Sequence, residues 1–426
     1  MGAPTRKATS LFPILLVNFI GTLGYSIVLP FLVAVVTRFG GNAVVYGIVG
    51  ATYSAFQLIG APLLGQWSDI YGRRKVLLLS QLGTFVSWLV FLLAFFLPAR
   101  PLFRWGLSDG VLVVTIPLLV LFLARAMDGL TGGNVSVANA YLADLTKESE
   151  REKNFGKMAV AANLGFILGP VLAGLLGATT LGEIVPVLAA LAISLAASLV
   201  IGLYLPESKP CVLQHSPEST NVRKVFGQEH RDCVKTSGPS KLREVLRIKN
   251  IPFLLLLYFL LFIGFNLFYA AFPVHALTHL HWTITGLGVF FSFLGLTTVC
   301  VQGPLLSRLA DRFSAATLAV VGGVILGTAF LFLTSDRLPS LYLGAALFSL
   351  GNGLQWPSFM TLLSNAAGAR HQGAVQGLGG SVGSLASIVG LLLGGVLYTT
   401  LGGSTFTISA MLIFVASLLS LKLVRP

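Results

Sequence analysis

The sequence predicts an all-α membrane protein of 12 transmembrane helices in two pseudo-symmetric six-helix bundles, and three observations carry that prediction. Of the 426 residues, 55% are hydrophobic and only 10% charged, with a mean hydropathy of +0.86, whereas an ordinary soluble domain is about 25% charged. Apolar runs long enough to cross a bilayer, about 20 residues each, recur along the chain. Positions in the first half also return in the second at constant offsets.

The first six spans fall at 11–37, 43–64, 75–97, 113–142, 155–178 and 182–204, and six more at 251–277, 283–306, 315–334, 339–365, 372–398 and 403–423. The first apolar stretch is too long for a signal-peptide core and reads as a retained span. Between the sixth and seventh spans, residues 206–250 form a polar linker rich in Ser, Pro, Lys and Glu. The chain therefore divides into a bundle over 1–205, a cytoplasmic linker over 206–250 and a bundle over 251–426.

Charge sets the orientation. With the N-terminus inside, 23 of the 28 Lys and Arg fall on cytoplasmic segments, and four, Arg38, Arg100, Arg104 and Arg337, fall outside. That bias places both termini in the cytoplasm. The net charge of +13 is thus a topology signal and not a phosphate-binding surface, and no nucleic-acid partner is expected. Cys211, Cys233 and Cys300 offer neither a disulfide framework nor zinc-ligand spacing.

The halves echo one another. Ala61-Pro62-Leu63-Leu64 running into Asp69 matches Gly303-Pro304-Leu305-Leu306 running into Asp311, 242 residues on. Asn134 matches Gln355, Gly169 matches Gly390 and Gly174 matches Gly395, each 221 apart, the difference falling in the long loop at 98–112. Two six-span repeats in the same direction point to a transporter with its substrate site between them, near the midplane.

The loop after the second span reads Gly65-Gln-Trp-Ser-Asp69-Ile-Tyr-Gly72-Arg73-Arg74-Lys75. It combines a glycine for a tight turn, a carboxylate suited to a helix N-terminus and a run of cations. A topogenic basic loop with a helix cap is the plain account. Taken with the two-half plan, the segment closely resembles the signature G-x-x-x-D-x-x-G-R-R/K-x of the major facilitator superfamily. The resemblance implies the major facilitator fold, and implies that Asp69 holds the cytoplasmic ends of the halves together in the outward-facing state. The second-half copy keeps Asp311 and Arg312 but has Ser314 in place of the glycine.

Arg125-Ala-Met-Asp128-Gly129 lies within the fourth span. An embedded arginine costs at least ~2.5–3.5 kcal/mol on insertion scales, so it faces protein or water. Asp128, three residues on, shares its helix face. Either the two form a self-neutralising pair that fixes helix packing, or Asp128 takes up a transported proton and releases Arg125. The segment is similar to the family's R-x-x-x-G motif, which implies that Arg125 takes part in proton coupling.

The fifth span places Gly156, Gly165, Gly169, Pro170 and Gly174 in a pattern that resembles the antiporter motif G-x8-G-x3-G-P-x2-G-G, with Ala173 replacing one glycine. Small residues let helices approach closely and proline bends them. In the family this motif marks exporters that exchange substrate for protons. Leu205-Pro206-Glu207-Ser208 and Ala143-Asp144-Leu145-Thr146 add to the likeness, which is to the twelve-span drug:proton antiporter branch near the tetracycline-efflux proteins. The first span departs from it, with Asn18, Thr22 and Tyr25 where many such exporters carry a carboxylate. A neutral, zwitterionic or anionic lipophilic substrate becomes the expectation.

Polar and aromatic residues of the lining spans sketch the cavity: Asn18 and Tyr25, Tyr53 and Gln57, Asn163, Asn266 and Tyr269, and Asn352, Gln355 and Trp356, beside Arg125 and Asp128. Each is as compatible with helix packing as with ligand contact. His275, His279 and His281 cluster at the outer end of the seventh span without an evident acidic partner, and read as a solvated loop with no metal.

The function expected is proton-coupled export of a small amphipathic compound by alternating access, with Asp128 and Arg125 in proton coupling and Asp69 steadying one closed arrangement. A lipid or lysolipid transporter, an uncoupled facilitator and a transport-inactive receptor are the alternatives. Neither H-E-x-x-H nor a nucleotide loop occurs, and the few acids supply no paired carboxylates, so an enzyme is not expected. The partners expected are protons, lipids and the substrate, for a functional monomer in a plasma (inner) or organelle membrane, with the proton gradient as energy source and no cofactor.

Overall fold

The computed structural model describes residues 11–28, 31–107, 110–132, 134–146, 151–177, 179–208 and 242–424. Most of the 206–250 linker lies outside them, as do Arg6, Lys7 and Lys147. The first set of helices is α1 (Phe12–Ser26), α2 (Leu32–Arg38), α3 (Ala43–Tyr71), α4 (Arg73–Leu93), α5 (Ile116–Thr131), α6 (Asn134–Leu145), α7 (Arg151–Gly177) and α8 (Ile184–Tyr204). The second is α9 (Ile251–Thr278), α10 (Ile284–Cys300), α11 (Ala315–Phe332), α12 (Leu338–Leu401) and α13 (Thr405–Ser420). Eight helical stretches among the described residues are long and apolar enough to cross a membrane, and Phe12–Ser26 and Ile284–Cys300 are shorter apolar helices.

Three expectations about the spans change. The first span is two helices, α1 and α2. The fourth begins at Ile116, because residues 110–115 form a strand (β2, Gly110–Thr115) paired antiparallel with β1 (Pro101–Leu107). The Val-Leu-Val-Val-Thr run that extends the apolar stretch is β-branched and favours a strand, and Pro117 sits in the first turn of the helix that follows.

The third change concerns the predicted spans 339–365 and 372–398, which are one continuous helical stretch, α12, of 64 residues. Drawn straight it would reach about 96 Å, three times the hydrocarbon core of about 30 Å. It folds back instead. Tyr258 of α9 meets the Trp356 ring at 5.4 Å, and a Cβ on Gly383 would lie 2.9 Å from the Tyr258 ring, although a straight helix would hold Trp356 and Gly383 about 40 Å apart. Gly379 likewise faces Leu363. The reversal falls between those two residues, and the predicted spans are the arms on either side.

Within the first set, α1 packs on α7 and α8, α3 on α5, and α4 on α5 and α8; within the second, α9 and α11 each pack on α12 and α13. The two sets meet along α3 with α12 and along α7 with α10. The sequence offsets are visible in these contacts. Gly169 lays α7 on Ser26 of α1, as Gly390 lays α12 on Asn266 of α9. Gly174 lays α7 on Gly288 of α10, as Gly395 lays α12 on Ala43 of α3. Each matched pair thus makes the same kind of contact twice, one within its own set and one across.

These cross-contacts sit at the end of the bundle opposite Arg73 and Arg74. A Cβ on Gly174 would lie 2.7 Å from the Gly288 Cα, and one on Gly47 would lie 2.4 Å from the Leu391 carbonyl oxygen. Backbones that close leave no room for side chains. Nearby, the Tyr46 hydroxyl donates to the Tyr269 carbonyl at 3.1 Å, and Phe268, Phe272, Phe290 and Phe330 form a fully buried aromatic core.

Candidate functional site

Helical spacing puts Arg125 and Asp128 on one face of α5, where Arg125 Nη1 donates to Asp128 Oδ2 at 3.0 Å. Arg125 is 3% exposed and Asp128 6%. The guanidinium also lies 4.5 Å from the centroid of the Tyr53 ring, a cation–π contact of about 2 kcal/mol when desolvated. Its Nε has no hydrogen-bond partner. The charge is therefore held by one carboxylate and one ring face, and neutralising Asp128 removes the stronger of the two.

Tyr53 is fixed in turn. Gln57 Nε2 donates to the Tyr53 hydroxyl at 3.1 Å and to the Gly132 carbonyl at 3.3 Å, and the Tyr25 ring lies 4.8 Å from that of Tyr53. Asp128, Tyr25 and Tyr53 line an internal cavity of about 30 Å³ together with Gln81, Thr84, Trp88, Asn134 and Ser194. A site of that size and polarity has room for about one or two water molecules. The arrangement can hold a proton on a carboxylate with a small polar space beside it.

Gln81, Thr84 and Trp88 were not among the expected site residues. A signal exists: they recur three and four residues apart on α4, a stripe of polar and amphipathic side chains along an otherwise apolar helix. Asn134 joins the node by donating to Gln81 Oε1 at 3.2 Å.

The expected cavity residues do not form one ring. Tyr25, Tyr53 and Gln57 join the Arg125 node. Asn18 donates to the Met158 carbonyl at 2.9 Å and ties α1 to α7. Asn266 donates to the Phe262 carbonyl and to Ser387 Oγ, joining α9 to α12. Trp356 lies in an aromatic group with Tyr258 and Phe262, and the Tyr269 ring stacks near Phe291 at 6.3 Å. Gln355 is buried against Gly322 and Gly323 of α11, and Asn352 is half-buried on α12. The side chain of Asn163 lies outside the described residues.

At the opposite end, three sequence motifs converge. Gly72, at φ 101°, ends α3 and starts α4, and a Cβ there would lie 2.6 Å from the Glu207 carboxylate. Glu207 Oε1 accepts from the Arg73 and Arg74 amides at 2.7 and 3.3 Å, capping α4. Arg73 Nε pairs with Asp144 Oδ2 at 3.2 Å, which also accepts from Ser208 Oγ at 3.2 Å. Arg74 donates to the Gly202 carbonyl, and Tyr141 to that of Pro206 at 2.8 Å. Gly65 faces Ser136. Asp311 and Arg312 are exposed after a short helix at 306–310. The Asp69 side chain lies outside the described residues. Replacing Glu207 with Ala is expected to cost about 1 kcal/mol through loss of the cap, read as a lower melting temperature in detergent.

In α7, Gly165 meets the Phe19 carbonyl and its own carbonyl accepts from Ser26 Oγ at 2.9 Å, while Pro170 lies inside the helix. Gly165 and Gly169 thus seat α7 on α1, and Gly174 reaches α10. Gly156 falls near the start of α7, and its surroundings lie outside the described residues.

One expectation is corrected. His275 is buried and not part of a solvated loop, and the connection between α11 and α12 brings Asp336 beside it and His279. The acid lies far along the sequence, which is why spacing did not reveal it. His281 is exposed.

A family profile described as Major Facilitator Superfamily matches residues 14–387 and 254–426. The class B tetracycline resistance protein of Escherichia coli is 26% identical over 387 residues, covering 90% of this chain and 87% of that one. Major facilitator superfamily domain-containing protein 10 of Mus musculus is 28% identical over 399 residues, covering 90% and 80%. Among solved structures, the human organic anion transporter MFSD10 (TETRAN) superposes with a TM-score of 0.67 at 24% identity, over 98% of this chain and 100% of that one; at that identity the likeness concerns the fold.

Proposed function

We propose a function from one premise: this chain belongs to the Major Facilitator Superfamily. It is a multi-pass membrane transporter and not an enzyme. Our reading is that it exports a small amphipathic compound in exchange for protons. The observation that carries this reading is the buried Arg125–Asp128 pair beside a water-sized polar cavity. Ionisable groups inside a membrane span mark ion and proton paths.

In this reading the halves 1–205 and 251–426 rock about a midplane site, joined by a cytoplasmic linker at 206–250. The cations around Arg73 and Arg74 face the cytoplasm. The tight glycine contacts then lie at the outer face, so the conformation is closed outward. Protonation of Asp128 frees Arg125 and changes which arrangement is favoured. Relatives named for tetracycline resistance, together with a first span without acids, support a neutral, zwitterionic or anionic substrate.

Reconstitution in liposomes carrying an internal pH dye tests this. Tetracycline and carboxyfluorescein serve as first probes. Uphill accumulation that a protonophore collapses, with counter-movement of protons, is the expected result. Equilibration without accumulation marks an uncoupled facilitator.

A further inference from the structure

We propose that His275, His279 and Asp336 form a binding site for a divalent transition-metal ion of the zinc type, at the end of the bundle opposite Arg73 and Arg74. This inference does not depend on the transport reading. The two histidines are four residues apart on α9, with rings stacked at 4.8 Å. Asp336 Oδ1 lies 3.6 Å from His275 Nε2, and its Oδ2 lies 3.3 Å from His279 Nε2. One ligand atom from each residue falls within 4.8 Å of the others. Ligands about 2.0–2.1 Å from a tetrahedral zinc ion are about 3.4 Å apart, so the carboxylate already stands near that spacing from each imidazole.

The buried member is built for the role. His275 Nδ1 lies 3.2 Å from the Tyr398 hydroxyl, while its Nε2, buried and without a hydrogen-bond partner, faces Asp336. Metal-bound histidines are held in this way, with the second ring nitrogen hydrogen-bonded so that the first presents its lone pair. A buried polar atom without a partner is unfavourable, and an ion bound at Nε2 gives it one. The side chains of His279 and Asp336 are 56% and 63% exposed and free to close on the ion, leaving a fourth position for water or an outside ligand. Two imidazoles with one carboxylate suit zinc, and not calcium or magnesium, which prefer oxygen. The loaded site ties the end of α9 to the connection between α11 and α12.

The alternative is that Asp336 only accepts a hydrogen bond from His279. Zinc alone, titrated by calorimetry into the chelator-treated full-length protein in detergent, separates the two. One zinc per chain is expected, without competition from calcium. His279→Gln and Asp336→Asn should each weaken binding at least about tenfold, and His281→Gln should leave it unchanged. Both test positions are exposed and leave the His275–Tyr398 contact in place, and size exclusion confirms that the variants fold. Absence of stoichiometric zinc, or variants that bind as the wild type does, overturns the site.

Discussion

Asp128→Asn is expected to abolish proton-driven accumulation and to lower stability in the same step. The substitution keeps shape and hydrogen bonding but removes the charge that pairs with Arg125 inside α5. A buried guanidinium left without its counter-ion costs about 3–5 kcal/mol, since the Tyr53 ring face offsets only part of it. The loss reads as a lower melting temperature in detergent. Transport should fall to the level of empty liposomes under an imposed pH gradient. The double substitution Arg125→Gln with Asp128→Asn then separates two roles. Removing both charges should recover much of the stability while transport stays absent. Recovery of both properties would reduce the pair to a packing device, and an Asp128→Asn variant that still accumulates substrate uphill rules out Asp128 as the proton carrier.

Gly288→Val should have the second-largest effect, on conformation and not on folding. A Cβ at Gly288 would lie 2.1 Å from the Gly174 Cα, where the obstacle is backbone and cannot rotate away. Relief comes only by moving α7 and α10 apart at this end. Each set of helices keeps its own internal contacts, so the protein should still fold. Spin labels at Leu181 and Thr285, both exposed, should report a longer separation, and transport should fall because the seam no longer closes. Each tenfold shift in population corresponds to about 1.4 kcal/mol. Gly377→Ala, on an exposed position with open space around it, is the control and should leave both readings unchanged. An unaltered distance in Gly288→Val would show that the seam yields elsewhere.

What could be read from the sequence was set by rarity and by repetition. Arg125 and Asp128 stood out because charge in an apolar span is costly, and the structure brings them together. The 221-residue offsets were legible because close helix approach admits only small residues, so Gly169, Gly174, Gly390 and Gly395 mark matching contacts. Helix phase was less legible. Gln355 was expected in the cavity, yet it lies against Gly322 and Gly323, because hydropathy does not show which neighbour a polar side chain turns toward. The two arms of α12 were legible as separate apolar spans because the polar stretch at 366–371 divides them in hydropathy, although helical backbone is found on both sides of it and through it. Asp336 reaches His275 only through tertiary structure, and Gln81 and Thr84, being uncharged, gave a weaker signal than the pair they surround.

The doubled glycine register also sorts mutational phenotypes in advance. Gly169 and Gly174, like Gly390 and Gly395, are five residues apart, which turns them about 140° and lifts them about 7.5 Å along one helix. The first of each pair faces a helix of its own set and the second a helix of the other. The same substitution made five positions along should therefore change category. At Gly169 or Gly390 it is a defect of assembly, visible as lost expression and rescued by general stabilisation. At Gly174 or Gly395 it leaves a well-folded protein caught in the wrong half of its cycle, which no stabilising mutation elsewhere will repair.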